Sequence, residues 1–203
     1  MAWLGLLIAV ALAAYAIGTF PTARLVGHSI GKDPTKEGSG NPGASNVYRI
    51  AGRWPGLIVL LADMAKGAIP TFLALHIFDR PEALAAWLGA VVGHIWPLGP
   101  RLFRRGGKGA ATCGGGAMVL DPFTGLICLA AFGIVVRVTK KAAIGTLMIA
   151  VLYPTLVAAL IPLWPDWTWQ GVVVAMLVMA LVVLRHHSNI SRLWKGTELK
   201  VRS

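Results

Sequence analysis

Charged residues are scarce in this chain of 203 residues. Asp, Glu, Lys and Arg make up 13% of it, whereas 56% is hydrophobic. Such a chain cannot cover one ordinary core with a water-compatible surface, which excludes a soluble globular protein and predicts a protein built for the lipid bilayer.

Cysteine is also scarce. Cys113 and Cys128 lie in apolar sequence without metal-ligand spacing or a disulfide framework, so the sequence predicts no metal site.

Acidic residues are few, with 8 Asp and Glu against 19 Lys and Arg, and the formal net charge is +11. This excess fits nucleic acid, an anionic membrane face or an anionic substrate, and the positions of the charges must decide. The basic residues lie between apolar runs, which span 2–23, 54–78, 83–100, 109–136, 142–165 and 167–184. Most of these runs are long enough to cross a bilayer, so nucleic acid is not the predicted partner.

The distribution of basic residues predicts the orientation. Seventeen of the 19 fall into four clusters, within 24–53, 101–108, 137–141 and 185–202. By the positive-inside rule these clusters are cytoplasmic, which places the N-terminus outside and the C-terminal tail in the cytoplasm. No Lys or Arg precedes the first run, so a cleaved signal peptide is the weaker alternative.

The run 109–136 is flanked by basic clusters that both prefer the cytoplasm. It would form about 40 Å of helix, which is short for two full spans. We expect two short helices that fold back at Asp121 and Pro122, since Asp is a common N-cap and Pro a common first helical residue. The sequence therefore predicts an all-α, polytopic membrane protein with seven membrane helices in one domain, 1–203.

The segment 37–49, "EGSGNPGASNVYR", resembles a dinucleotide-binding fingerprint in its glycine spacing. It follows polar, turn-forming sequence rather than a strand, which excludes that fold. Its small residues let backbone N–H groups approach an anion, and its Ser and Asn side chains add donors. The alternative is a flexible polar loop. The candidate residues are Ser39, Gly40, Asn41, Gly43, Ser45 and Asn46, with Arg49 supplying charge.

A second glycine cluster, "RRGGKGAAT" at 104–112, places Lys108 between Gly107 and Gly109 where a membrane helix begins. It lacks the spacing of a Walker A motif. A lysine at a glycine-rich helix start can bind an anion together with free backbone N–H groups, or it can simply reach lipid headgroups and set the topology.

A third polar cluster lies at 185–198. His186 and Asn189 are three residues apart and would share a face on a continuing helix, flanked by Arg185 and Arg192. A histidine here can also be a mere interface residue.

Two pairs, each of an aspartate with a lysine or a histidine, lie outside these three motifs. Asp63 and Lys66 lie three apart in the second run, which favours a structural ion pair facing the bundle interior over contact with substrate. His28 and Asp33 form the H-x4-D pair of a large acyltransferase class, but they lie in turn-rich sequence that does not otherwise match that class.

Taken together, the motifs resemble those of the bacterial acyl-phosphate-dependent glycerol-3-phosphate acyltransferases, the PlsY family. The departures are mild, with Ser45 for the usual Thr and Ala110 for a common Val. The matching segments cover nearly the whole chain: "GTFPTARL" (18–25), "GSGNPGASNVYR" (38–49), "DMAKG" (63–67), "GHIWP" (93–97), "FRRGGKGAAT" (103–112) and "RHHSNISRLWKGTE" (185–198).

The resemblance implies an enzyme of the bacterial inner membrane whose site faces the cytoplasm. It would transfer a fatty acyl group from acyl phosphate to glycerol 3-phosphate, giving lysophosphatidic acid and inorganic phosphate without a cofactor or metal. The implied catalytic residues are Arg49, Lys108, His186 and Asn189. The implied substrate-binding residues are Ser39, Gly40, Asn41, Gly43, Ala44, Ser45, Asn46, Gly107, Gly109 and Thr112.

The site must hold two mutually repelling anions and stabilise charge on the carbonyl oxygen and on the departing phosphate. Either His186 or a substrate phosphate can take the proton of the acceptor hydroxyl. The alternatives are a transporter of small organic anions or phosphate esters, for which we find no internal repeat, and a non-catalytic membrane scaffold.

Overall fold

The computed structural model of the protein describes residues 2–99, 105–163 and 168–201. The all-α prediction is confirmed over this part of the chain. Residues 101–104 of the second basic cluster and the tryptophan-rich link 164–167 lie outside the described residues. The helices are α1 (Ala2–Gly18), α2 (Thr22–Ser29), α3 (Ala44–Ala51), α4 (Arg53–Ile77), α5 (Arg80–Ile95), α6 (Ala110–Leu120), α7 (Pro122–Thr139), α8 (Ala142–Leu160), a 3-10 turn (Ile161–Leu163), α9 (Trp169–Arg185) and α10 (His187–Trp194).

Several of these helices are built to contact lipid. By length and composition, four stretches of the described chain can cross a membrane, and a fifth can if α9 and α10, which meet at 59°, form one bent span. On α1, the side chains of Leu4, Ile8 and Leu12 are 58%, 52% and 62% exposed. Their spacing of four places them on one helix face, and such an apolar surface suits lipid rather than water. The four stretches are Ala2–Ser29, Arg53–Ile77, Pro122–Thr139 and Ala142–Leu163.

The predicted break between α6 and α7 is present, but only α6 is short, with 11 residues; α7 has 18 residues and is long enough to cross a membrane, so the expectation of two short helices is wrong for α7. Asp121 accepts hydrogen bonds from the backbone N–H and the hydroxyl of Thr124, at 3.0 and 2.7 Å, and Pro122 opens α7. The Arg80 guanidinium donates to the Leu120 carbonyl at 3.2 Å. The short helix α6 therefore ends beside the start of α5, at the same end of the bundle as the α4–α5 link.

Close packing fixes α6 between α4 and α5. A Cβ atom on Gly67 would collide with the Thr112 carbonyl, and one on Gly115 would collide with the Met64 carbonyl, so α4 and α6 approach each other through small residues. On the α5 side, the buried Trp87 donates its indole N–H to the Cys113 carbonyl at 2.9 Å. These contacts hold the N-terminus of α6 in a defined position.

The predicted ion pair within α4 is also present. The Lys66 Nζ and Asp63 Oδ1 atoms are 2.7 Å apart, and both side chains are buried in the helix bundle. The pair lies one helical turn apart on the face of α4 that packs against the other helices.

Candidate functional site

A cavity of about 200 Å³ brings together residues of all three polar motifs. The first motif contributes the loop before α3 and the first two turns of that helix, the second contributes the start of α6, and the third contributes the junction of α9 and α10. The predicted site residues that line it are Ser39, Asn41, Gly43, Ala44, Ser45, Asn46, Arg49, Lys108, Gly109, His186 and Asn189.

Three predicted site residues do not line this cavity. Gly40 lies in the preceding loop in the left-handed region, at φ +71°. Gly107 lines a smaller neighbouring cavity of about 20 Å³, and Thr112 is fully buried with its Oγ1 atom 3.1 Å from Nδ1 of His94. All three occupy positions behind or beside the cavity wall.

The Asn46 side chain organises the loop that precedes α3. Its Oδ1 atom accepts the backbone N–H of Ser39 at 2.7 Å, and its Nδ2 atom donates to the carbonyls of Pro34 and Glu37, both at 2.9 Å. Both amide hydrogens are therefore engaged within the protein. The sequence predicts that this amide binds an anion, whereas here it shapes the loop that carries Ser39.

Two helix N-termini open onto the cavity. The helix α3 begins after Gly43, and α6 begins after Gly109, which adopts φ +80°. Within the described chain, neither N-terminus is capped by a side chain. The lining residues Ala44 and Ala110 are the first residues of their helices. Because the first-turn N–H groups carry partial positive charge, two uncapped helix starts at one cavity favour an anion there.

Lys108 is held by a chain of hydrogen bonds from the third motif. Its Nζ atom donates to Oδ1 of Asn189. The amide of Asn189 donates in turn to Glu198 at 2.6 Å, and Glu198 accepts Nε of Arg192 at 2.9 Å. The ammonium of Lys108 therefore has a fixed position at the polar end of the cavity.

Burial, together with repulsion from Arg192, lowers the pKa of Lys108 to about 8 against the opposing attraction of Glu198. Burial also lowers the pKa of the nearby Arg49. The Arg49 guanidinium donates to Oδ1 of Asn46 and to the carbonyl of Lys200, both at 3.2 Å. Several cationic side chains are thus partly buried close to one another at this end of the cavity.

The helix does not continue through His186, so the expectation of a shared face on one continuous helix is wrong. The helix α9 ends at Arg185 and α10 starts at His187, with a bend of 59°. His186 and Asn189 nevertheless both line the cavity, and both are buried. The Nδ1 atom of His186 lies 2.7 Å from the Val182 carbonyl. A carbonyl only accepts, so Nδ1 carries a proton, and Nε2 of the neutral ring is free to accept one.

The rest of the cavity is apolar and runs between helices. Along α8 its lining extends from Ala142 to Tyr153, which corresponds to about 16 Å of helix. A pocket of this kind fits a hydrocarbon chain rather than a polar ligand. Its larger apolar lining residues are Leu60, Met64, Met118, Leu129, Phe132, Ile149, Tyr153, Met179 and Val182.

Two polar residues of the cavity wall, Glu198 and His94, were not among the predicted site residues. Glu198 organises Asn189 and Arg192, and His94 lies at the edge between the two cavities. The sequence does indicate a special position for Glu198, because it is the only acidic residue after Asp166 and lies in a basic tail. No feature of the sequence around His94 indicates a place in the site, apart from its position in the segment "GHIWP".

The fold and the cavity define a membrane-embedded protein whose helices enclose a cationic, N–H-rich chamber continuous with an apolar pocket. The family model for glycerol-3-phosphate acyltransferase matches residues 8–196. The chain belongs to the glycerol-3-phosphate acyltransferase family, as the motif resemblance predicted.

Individual relatives agree with this assignment. The glycerol-3-phosphate acyltransferase of Trichlorobacter lovleyi is 39% identical over 94% of this chain and 95% of its own length. That of Pasteurella multocida is 37% identical over 93% and 90%. The crystal structure of PlsY, an integral membrane glycerol 3-phosphate acyltransferase, in its glycerol 3-phosphate form is similar with a TM-score of 0.87 and 26% identity, covering 96% of this chain and 94% of that one.

Proposed function

We propose that this protein transfers a fatty acyl group from acyl phosphate to the hydroxyl of glycerol 3-phosphate. The observation that carries the proposal is a single cavity with a cationic, N–H-rich end and an apolar end, because acyl phosphate is itself half phosphate and half hydrocarbon. Similar crystal structures of PlsY are described as its glycerol 3-phosphate form and its lysophosphatidic acid form, which supports the same acceptor and product here.

The reaction requires no covalent enzyme intermediate, because acyl phosphate is already an activated mixed anhydride. The acceptor hydroxyl oxygen bonds to the carbonyl carbon, the bond from that carbon to the phosphate oxygen breaks, and inorganic phosphate leaves. The hydroxyl proton passes to Nε2 of His186 or to a phosphate oxygen. Because Nδ1 donates to the Val182 carbonyl, Nε2 of the neutral ring is the unprotonated nitrogen, which supports His186 in this role.

The remaining residues bind and neutralise the two anions. Lys108 and Arg49 stabilise negative charge on the phosphates and on the carbonyl oxygen, and Asn189 positions Lys108. The start of α3 supplies N–H groups to one phosphate and the start of α6 supplies them to the reacting centre. We assign direct substrate contacts to Ser39, Asn41, Gly43, Ala44, Ser45 and Gly109, and supporting positions to Gly40, Asn46, Gly107 and Thr112.

We propose seven membrane helices in one domain, namely α1, α4, α5, α6, α7, α8 and α9. The N-terminus is outside and the site faces the cytoplasm of the bacterial inner membrane. The basic clusters support this orientation by the positive-inside rule. The contact of Arg80 with Leu120 supports this arrangement, because it places the end of the short helix α6 beside the link predicted to face outward.

The test is product formation by protein purified in detergent. With palmitoyl phosphate and labelled glycerol 3-phosphate, we expect lysophosphatidic acid and inorganic phosphate in equal amounts, and no product with palmitoyl-CoA. Lys108→Ala should lose most activity, whereas Lys195→Ala, which changes an exposed lysine of the tail, should keep it.

Glycerol 3-phosphate uptake into proteoliposomes without product formation would refute the proposal in favour of a transporter. Turnover with acyl-CoA that is lost in His28→Ala would instead favour the H-x4-D acyltransferase class. Neither result is expected, because His28 is exposed and does not line the cavity.

A further inference from the structure

A buried polar cluster lies behind the glycine loop that carries Lys108, and apart from the supporting position of Thr112 the proposed reaction gives it no role. It consists of Asp63 and Lys66 on α4, His94 on α5 and Thr112 on α6, whose exposed fractions are 2%, 7%, 7% and 0%. A buried ion pair contributes little net stability, because desolvation offsets its attraction. The Asp63–Lys66 pair is better explained by its effect on neighbouring residues, which it holds in one specific arrangement.

The cluster fixes the imidazole of His94. Its Nδ1 atom lies 3.2 Å from Nζ of Lys66, and 3.9 Å from Oδ1 of Asp63, which is beyond hydrogen-bond distance. An ammonium group only donates, so Nδ1 accepts and the proton of the neutral ring resides on Nε2. Lys66 is held in turn by Asp63 at 2.7 Å and by the Phe20 carbonyl at 2.9 Å. The ring therefore has one orientation and one tautomer.

The opposite edge of the ring supports Gly107. A Cβ atom added to Gly107 would overlap Nε2 of His94, so the ring lies directly against this glycine. The backbone N–H of Gly107 also donates to the His94 carbonyl at 3.1 Å. Gly107 immediately precedes Lys108, and so both contacts act on the residue that leads into the cationic end of the cavity.

We propose that His94, held by the Asp63–Lys66 pair, is a positioning residue that sets the location of the Gly107–Gly109 loop and thereby of the Lys108 ammonium. The inference rests on the proposed function and assigns a role to the ion pair that the sequence left open. It requires glycine at position 107, because any side chain there would displace the ring or the loop.

The test is a double-variant cycle. His94→Asn keeps an acceptor near Lys66 but removes the ring atoms under Gly107, and Gly107→Ala adds a methyl group where Nε2 lies. Each single variant should lower kcat by about 10- to 100-fold, the size expected for a displaced catalytic group. The double variant should be more active than either single variant, because the new methyl group fills the space vacated by the ring. His76→Asn, the same change at an exposed histidine of α4, should leave kcat within about twofold.

In the single variants kcat should fall by a larger factor than the KM for glycerol 3-phosphate rises, because the loop before α3 is unchanged. Wild-type kcat in His94→Asn, or a loss in the double variant equal to the product of the two single losses, would overturn the inference.

A measurement on unmutated protein needs neither turnover nor a variant that folds. In protein labelled with 15N-histidine, His94 should show the Nε2–H tautomer at neutral pH. An Nδ1–H signal that belongs to His94, and so is absent from His94→Asn, would overturn the inference even if acyl transfer is confirmed; His186 should give such a signal in both proteins. Conversely, wild-type protein that is inactive with acyl phosphate would refute the proposed function, while the tautomer measurement would still test the contact with Lys66.

Discussion

The rate of acyl transfer should depend on the charge of Lys108, and the structure sets the pH at which that charge is lost. Burial among other cations lowers its pKa from 10.5 to about 8. The amine is charged below this pH and neutral above it. If the ammonium stabilises the phosphates and the developing oxyanion, kcat/KM should be level at neutral pH and fall as pH rises through 8.

The size of the fall follows from the pKa. With a pKa of about 8, roughly 90% of the enzyme carries the charge at pH 7 and roughly 10% at pH 9, so kcat/KM should drop about tenfold between them. Lys108→Arg should be slower at pH 7, because a planar guanidinium replaces a compact charge beside Gly107 and Gly109. Its profile should stay flat to pH 9, since arginine does not titrate in this range.

The assay is the initial rate at acyl phosphate and glycerol 3-phosphate concentrations below KM, where kcat/KM reports groups of the free enzyme. Ionic strength is held constant, because salt screens the cationic end, and enzyme-free hydrolysis of the acyl phosphate is subtracted. A rate that rises from pH 7 to pH 9 would refute the reasoning, since it would make the neutral amine the active form. An equal fall in Lys108→Arg would assign the titration to another group.

Three further predictions concern topology, the loop before α3 and the apolar pocket. A cysteine at Thr139 should be labelled by an impermeant reagent only from the cytoplasm and one at Pro81 only from outside, with little background because Cys113 and Cys128 are buried; reversed labelling would contradict the proposed orientation, and labelling of both positions from one side would contradict seven spans. Asn46→Ala should lower stability by about 2–3 kcal/mol, seen as a lower thermal midpoint in detergent, because Ser39 N–H and two carbonyls lose their partner; an unchanged midpoint would contradict this. Tyr153→Leu should shift the preference to longer acyl chains, whereas Tyr153→Phe, which keeps the ring, should not.

The features that sequence predicted well are those fixed by neighbouring residues. The break at Asp121 follows from a cap and a proline that act within one turn. The pairing of Asp63 with Lys66 follows from helical spacing inside an apolar run. Both depend on contacts only a few residues apart, so local patterns specify them without knowledge of the rest of the fold.

The features that sequence missed depend on how a loop or the tail folds back on itself, over 9 to 12 residues, rather than on spacing within one helix. Asn46 has the composition of an anion donor, yet its amide hydrogens bind the carbonyls of Pro34 and Glu37. Nothing local distinguishes the two roles. The contact of Glu198 with Asn189 likewise forms only when the tail folds back onto α10. The residue types were therefore predictable, but their division into substrate contacts and supporting contacts was not.

The two uncapped helix starts and the cations beside them also affect the protein when no substrate is bound. Lys108, Arg49 and Arg192 repel one another across a chamber that Glu198 only partly neutralises. An anion that relieves this repulsion stabilises the folded protein by mass action, by about 2.7 kcal/mol at a concentration one hundred times its Kd. The buffer salt used during purification should therefore affect the stability of the protein. Phosphate or sulfate should prolong the lifetime of the folded protein in detergent, whereas chloride should not.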